Sequence, residues 1–145
     1  MIKVVGLGVQ NGDLSLRGAE AIEGADVVVV KTALTNTYKY FIEKNIKHET
    51  LDFLYEKSED FYDLDSSIAE YLKAICNKNV AYCVNGNGAD DRSVIKLSQI
   101  CDVQIIAGVS RELGVISSHP STSVVKVSAY DIAGDKAFGY DKSYP

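Results

Sequence analysis

The chain has 145 residues, of which 46% are hydrophobic and 24% charged, and a formal charge of −5. This is apolar enough for one domain, since a chain of about 150 residues buries roughly 70% of its unfolded surface, and it excludes compositional disorder. The acidic balance without a Lys/Arg cluster excludes a phosphate-backbone partner, and no run of about 18 apolar residues exists to span a bilayer, so neither nucleic acid nor a membrane is expected and the protein reads as cytoplasmic.

Met1-Ile2-Lys3-Val4-Val5-Gly6 leads straight into a strand at Ile2–Leu7 rather than into a signal-peptide core. The spacing then predicts a helix over Leu14–Gly24, with Leu16, Ala19 and Ile22 on one face and a glycine at its end. The unbroken apolar run Val27–Val30 marks a second strand, buried on both faces. Tyr38, Phe41 and Ile42 predict a short helix stopped near Asn45, and the loose alternation around His48–Phe53 predicts an edge strand. Leu64, Ile68, Leu72 and Ile75 set the buried stripe of a third helix, with Asp65, Glu70 and Lys73 on its other faces. Strands at Val80–Val84 and Val103–Ala107 flank a helix over Asp91–Cys101 that turns Val94, Leu97 and Cys101 to one side. A last short helix follows Ser110 through Leu113 and Ile116, and Val124–Val127 is a candidate for one more strand. Ile132–Pro145 loses periodicity and reads as a linker or frayed tail. The order βαβαβαβαβα predicts an α/β domain over residues 1–131: a Rossmann-like open, mainly parallel five-stranded sheet with helices on both faces.

Such sheets bind ligands beyond the carboxyl ends of their strands, and the loops there are rich in glycine. They are Gly6-Leu7-Gly8-Val9-Gln10-Asn11-Gly12-Asp13, then Asn85-Gly86-Asn87-Gly88, then Gly108-Val109-Ser110. Glycine takes positive φ and lets a ligand reach backbone groups, and the helix start behind each loop favours an anionic group. Glycine also serves merely to join strand and helix tightly. A dinucleotide fingerprint is not met: Gly6-x-Gly8 is followed by Gly12, and Lys31 stands where an acid would end strand two. A Walker-type phosphate loop is absent too.

Asp90-Asp91-Arg92 either orients a ligand or caps the helix beginning near Ser93, and capping also accounts for Asp13 ahead of the first helix. Glu56, Glu59, Asp60, Asp63 and Asp65 surround a helix start and read as a solvated face rather than a metal site. Cys76, Cys83 and Cys101 have no metal-ligand spacing and read as structural thiols. His48 and His119 have no partner for catalysis. Tyr38, Tyr40, Tyr55 and Tyr62 either stack a flat ligand or pack helices on the sheet.

Val4-Val5-Gly6-Leu7-Gly8 with Asp13-Leu14-Ser15-Leu16-Arg17-Gly18-Ala19-Glu20-Ala21-Ile22 resembles the opening of the tetrapyrrole (corrin/porphyrin) methylase family, and Ala25-Asp26-Val27-Val28-Val29-Val30 resembles its second strand. Leu51-Asp52-Phe53-Leu54-Tyr55-Glu56-Lys57, with Phe61 and Ile68, is similar to the methylase-like domain fused to MazG-type nucleotide pyrophosphohydrolases. The resemblance covers roughly residues 2–131. It implies the N-terminal half of the tetrapyrrole methylase fold and a methyltransferase with S-adenosylmethionine as cofactor. The implied cofactor contacts are Gly6, Leu7, Gly8, Asn85, Gly86, Asn87, Gly88, Gly108, Val109 and Ser110, largely through backbone groups; no catalytic residue and no metal are implied. The family's cleft lies between two domains, so a second methylase domain or a MazG-type domain in a longer chain is the expected partner, and the chain alone is expected to be incomplete or inactive. Val9-Gln10-Asn11-Gly12 and Gly88 replace the family's loop prolines, which leaves these loops more states to order on binding. A methylase-fold sensing or interaction module without catalysis, self-associating through an edge strand as a homodimer, is the alternative. An unrelated nucleotide-binding Rossmann domain is a third reading.

Overall fold

The computed structural model describes residues 1–110. The last predicted helix, the strand candidate Val124–Val127, His119, the boundary at 131 and the tail Ile132–Pro145 lie outside them.

Among the described residues five strands form one parallel sheet: β1 (Ile2–Gly6), β2 (Val27–Val30), β3 (Glu49–Thr50), β4 (Val80–Val84) and β5 (Val103–Ile106), in the spatial order β3-β2-β4-β1-β5. β4 lies at the centre, pairing with β1 from Ile2↔Val80 to Gly6↔Val84 and with β2 from Val27↔Val80 to Val30↔Cys83. Every residue of β4 is buried, as an apolar run without polar alternation requires when both faces of a strand are covered. β3 is an edge strand of two residues, shorter than the alternation predicts.

Neighbouring side chains of one strand enter opposite cores. On one face Val4, Val29, Tyr82 and Val84 pack with Leu64, Ile68, Leu72, Val94 and Leu97. These come from α4 (Phe61–Lys73) and α5 (Arg92–Ser98). On the other face Val5, Val28, Val30 and Cys83 pack with Ala21, Ile22 and Phe41. These come from α1 (Leu16–Glu23) and α2 (Lys39–Glu43), the latter entered through a 3-10 turn at Asn36–Tyr38. Asn45, at φ 51, takes the chain out of α2 where the sequence predicts its stop.

The structure departs from the sequence pattern in several places. Leu16 is 85% exposed, and the face of α1 that meets the sheet is Gly18, Ala21 and Ile22. The helix starts at the Ser15 cap rather than at Leu14, and Gly18 lies so close that an added Cβ would stand 3.1 Å from Val5 Cγ1. A bulky residue on that face would hold the helix off the sheet. An additional helix, α3 (Asp52–Lys57), follows β3, so the third crossover holds two helices rather than one. Asp65 is 6% exposed rather than solvated, because α4 turns it inward beside Leu64. Burial, and then the Cys76 thiol, raises the Cys101 pKa, so these two cysteines, distant in sequence, are neighbours. Among the described residues no helix is long and apolar enough to cross a membrane.

Candidate functional site

The topology fixes where a ligand could enter. β1 and β4 lie side by side, yet β1 feeds α1 on one face and β4 feeds α5 on the other, which makes their carboxyl ends a switch point. β2 and β4 stand in the same relation, because β2 feeds α2.

The structure brings the three glycine-rich loops together at this edge, and they bond to one another. Gly8 N–H donates to Gly86 O at 3.1 Å, Gly86 N–H donates to Gly8 O at 2.7 Å, and Leu7 N–H donates to Val84 O at 2.8 Å. Gly108 N–H donates to Asn87 O, and Asn87 Nδ2 returns a bond to Gly108 O, each at 3.0 Å. Gly8, Gly86 and Gly88 have φ of 80°, 78° and 102°, where side chains are strained. Gly6 is needed for another reason: a Cβ there would stand 2.1 Å from Asn87 O, and one on Gly108 would stand 2.3 Å from Gly6 O. The packing of loop on loop thus accounts for Gly6 and Gly108, and several backbone groups of Gly8, Gly86, Asn87 and Gly108 are occupied by partners within the chain. Val109 and Ser110 close the described segment, both half-buried.

Asp13 braces the first loop instead of capping α1. Its Oδ2 accepts from Val9 N and Gln10 N, both at 2.9 Å, and these backbone bonds lower its pKa. Ser15 takes the capping role, its Oγ accepting from Gly18 N at 3.0 Å.

The opening lies one strand over, between the carboxyl ends of β2 and β4. A cavity of about 80 Å³ there has Leu7, Val30 and Cys83 as its apolar floor and Lys31, Tyr55, Asn85 and Asp91 around it. Lys31 Nζ meets Asp91 Oδ2 at 2.9 Å, both side chains mostly buried. Asp91 is the α5 cap, its Oδ1 accepting from Ser93 N, Ser93 Oγ and Val94 N. Ser93 Oγ in turn meets the hydroxyl of the fully buried Tyr82 at 2.8 Å. Asp65 sits near this group; burial, then Asp91, raises its pKa, opposed by Lys31, Arg92 and Lys96. Thr35, Thr37 and Asn85 form a chain, with Thr37 Oγ1 donating to Asn85 Oδ1 at 3.0 Å.

Of the implied cofactor contacts, Leu7 and Asn85 line this cavity, as do Asp91 and Tyr55, which the sequence offers as ligand-facing alternatives; Lys31 and Thr35 join them without a ligand role in the sequence reading. The signal for Lys31 is its place directly after β2, at the end of a strand where ligands bind. The tyrosines do not form one stacking face. Tyr38 bonds His48 Nε2 at 2.7 Å and packs on Phe41, Tyr40 meets Phe41 edge-on, and Tyr62 lies under Lys96 Nζ. Tyr55 alone lines the cavity. Asp60 caps α4 and Glu59 N donates to Asp63, so the acidic run is spent on a helix start, apart from Asp65.

An open parallel sheet in this order, with helices on both faces and loops gathered at the carboxyl edge, is the α/β fold of the N-terminal half of the tetrapyrrole methylases. Two solved structures carry the likeness. A diphthine synthase matches 80% of this chain with a TM-score of 0.58 and 20% identity, and cobalt precorrin-4 methyltransferase, a cobalamin biosynthetic enzyme, matches 86% with a TM-score of 0.54 and 15% identity. The chain spans 47% and 52% of those two structures, about half of each. No protein-family model and no curated protein matches it.

Proposed function

We propose that this chain is an S-adenosylmethionine-dependent methyltransferase domain of the tetrapyrrole methylase type, forming one wall of a cleft whose other wall is a second domain. The observation that carries the reading is the edge itself. Loops after β1, β4 and β5 are held in one rigid cluster beside a polar cavity, at the place where this fold binds ligands, and a methyltransferase is among the structures that share the fold. The residues fit the cofactor in part: the cavity of about 80 Å³ is far below the 300 Å³ or more of a whole-ligand pocket, so it takes one end of the molecule while the rest lies across the loop cluster.

When bound, S-adenosylmethionine supplies an electrophilic methyl group. Positioning and exclusion of water are what the protein adds, and aligned reactants need little acid–base help. Leu7 and Asn85 present the cavity to the loop cluster, and the Asp13 brace and the Gly8–Gly86 bridge keep that cluster in one conformation. The second wall comes from a further methylase or MazG-type domain of a longer chain, or from a second copy.

Titration calorimetry of the 145-residue chain with S-adenosylhomocysteine tests this reading, with ADP and NAD as controls. Saturable binding of the S-adenosyl compound in preference to both nucleotides is expected. No binding at millimolar concentration would overturn the reading and leave an interaction module on the same fold, and preference for a nucleotide would favour the plain Rossmann alternative.

A further inference from the structure

The small cavity between β2 and β4 has an unequal hydrogen-bond inventory. Asp91 accepts at both oxygens from Lys31, Ser93 and Val94, so its carboxylate is satisfied. Lys31 Nζ carries three donors and spends one, on Asp91. Asn85 accepts at Oδ1 from Thr37, and this orients its Nδ2, which has no partner among the described residues, as an unspent donor. Thr37 has given its only proton to Asn85, so Thr35 must donate to Thr37, and the chain of hydroxyls points toward the amide. Burial together with Asp91, Asp52 and Asp65 raises the Tyr55 pKa, so its hydroxyl stays protonated at neutral pH. The cavity is therefore walled by unspent donors, one of them cationic.

Rejection by the nearby acids is limited. Asp52 accepts from Thr32 Oγ1 and Ala33 N, Asp91 is paired with Lys31, and Asp65 is opposed by Lys31, Arg92 and Lys96 and does not line the cavity. Size restricts the guest further: at about 80 Å³ the cavity takes one polar end group of a ligand rather than a whole ligand.

We propose that this cavity is a carboxylate subsite, in which Lys31 Nζ and Asn85 Nδ2 hold the carboxylate of a small-molecule ligand lying across the loop cluster. This rests on the small-molecule reading of the edge given above. The carboxylate comes from the amino-acid end of the cofactor or from the methyl acceptor, and the two sources are separable by competition.

The probe is acetate, followed through the Asn85 side-chain amide resonances of the full chain. Saturable shifts confined to the cavity are expected, and Lys31→Met is expected to weaken acetate binding about ten-fold or more, the loss of one charge-assisted contact. Adding saturating S-adenosylhomocysteine then assigns the source. Displacement of acetate identifies the cofactor's carboxylate, in which case 5′-methylthioadenosine, lacking that group, does not displace it. Simultaneous binding identifies the acceptor's. Absence of acetate shifts in the unmodified chain, or equal shifts in a folded Lys31→Met, overturns the subsite. Since the acetate arm needs no S-adenosyl ligand, a chain that binds acetate but not S-adenosylhomocysteine loses the methyltransferase reading and keeps the subsite.

Discussion

Ser93→Ala is expected to cost far more than its size suggests, and adding Tyr82→Phe is expected to restore part of the loss. The reason is proton direction. A carboxylate only accepts, so the single Ser93 hydroxyl proton goes to Asp91 Oδ1 at 2.5 Å, and Tyr82 must donate to Ser93 Oγ at 2.8 Å. Tyr82 is 0% exposed, so Ser93→Ala strands an O–H donor in the core, costing about 1–3 kcal/mol, and removes one bond to a charged cap, about 1 kcal/mol more. Tyr82→Phe alone loses one neutral bond and leaves an unfilled lone pair, about 1 kcal/mol. The double variant strands nothing, so it should be more stable than Ser93→Ala alone. With a urea slope of about 2 kcal/mol/M, the midpoint of Ser93→Ala should fall by about 1–2 M, and the second substitution should recover several tenths of that. Equal or additive losses in the two single variants and the double would refute the assigned proton order.

Asp65 offers a pH test. Its folded pKa is raised, chiefly by burial and then by Asp91, above an unfolded value of about 3.9, so its favourable contribution is full below that value and is lost as pH rises through the folded pKa. Asp65→Asn should therefore flatten the fall in urea midpoint from pH 4 upward and be at least as stable as the parent at pH 7; a clear loss at pH 7 would mean that attraction to Lys31, Arg92 and Lys96 outweighs burial. Gly6→Ala should abolish the cooperative melting transition or lower its midpoint by more than 10 °C, because its Cβ would stand 2.1 Å from Asn87 O. Gly12→Ala meets nothing within 4 Å and has only its φ of 103° to resist it, so it should lose about 1–2 kcal/mol, and similar losses at both positions would count against the packed loop cluster.

The strands were readable because a sheet covered on both faces demands unbroken apolar runs, and Val27–Val30 and Val80–Val84 occupy the residues the pattern assigns. Periodicity is weaker at fixing which side of a helix turns inward. Leu16 obeys the spacing yet faces outward, since Gly18 sets the contact with Val5, and a side chain absent from glycine leaves no mark in an apolar count. Asp65 was misplaced for the converse reason: a carboxylate inside a helix reads as solvated unless the charges that meet it are known, and Lys31 and Arg92 arrive from other elements. Asp13 shows the same limit at short range, where an acid ahead of a helix can cap the helix or brace the loop before it, and Ser15 decides the matter by taking the cap.

The glycine loops carry the deeper lesson about the site. Glycine at the end of a parallel strand has two uses, admitting a ligand to the backbone and admitting another loop, and composition cannot separate them. Here Gly6 and Gly108 serve the second use, and the Gly8–Gly86 bridge extends the contact of β1 and β4 past their paired residues. The β1–β4 switch point is thereby closed, and the crevice lies at the β2–β4 junction, where α2 and α5 leave on opposite faces and, among the described residues, side chains (Lys31–Asp91, Thr37–Asn85) rather than an isolated β-bridge link the loops. Its walls are then set by whatever follows β2, which here is Lys31. The rigid glycine cluster therefore lies beside, and not across, the cavity that carries the Lys31–Asp91 pair.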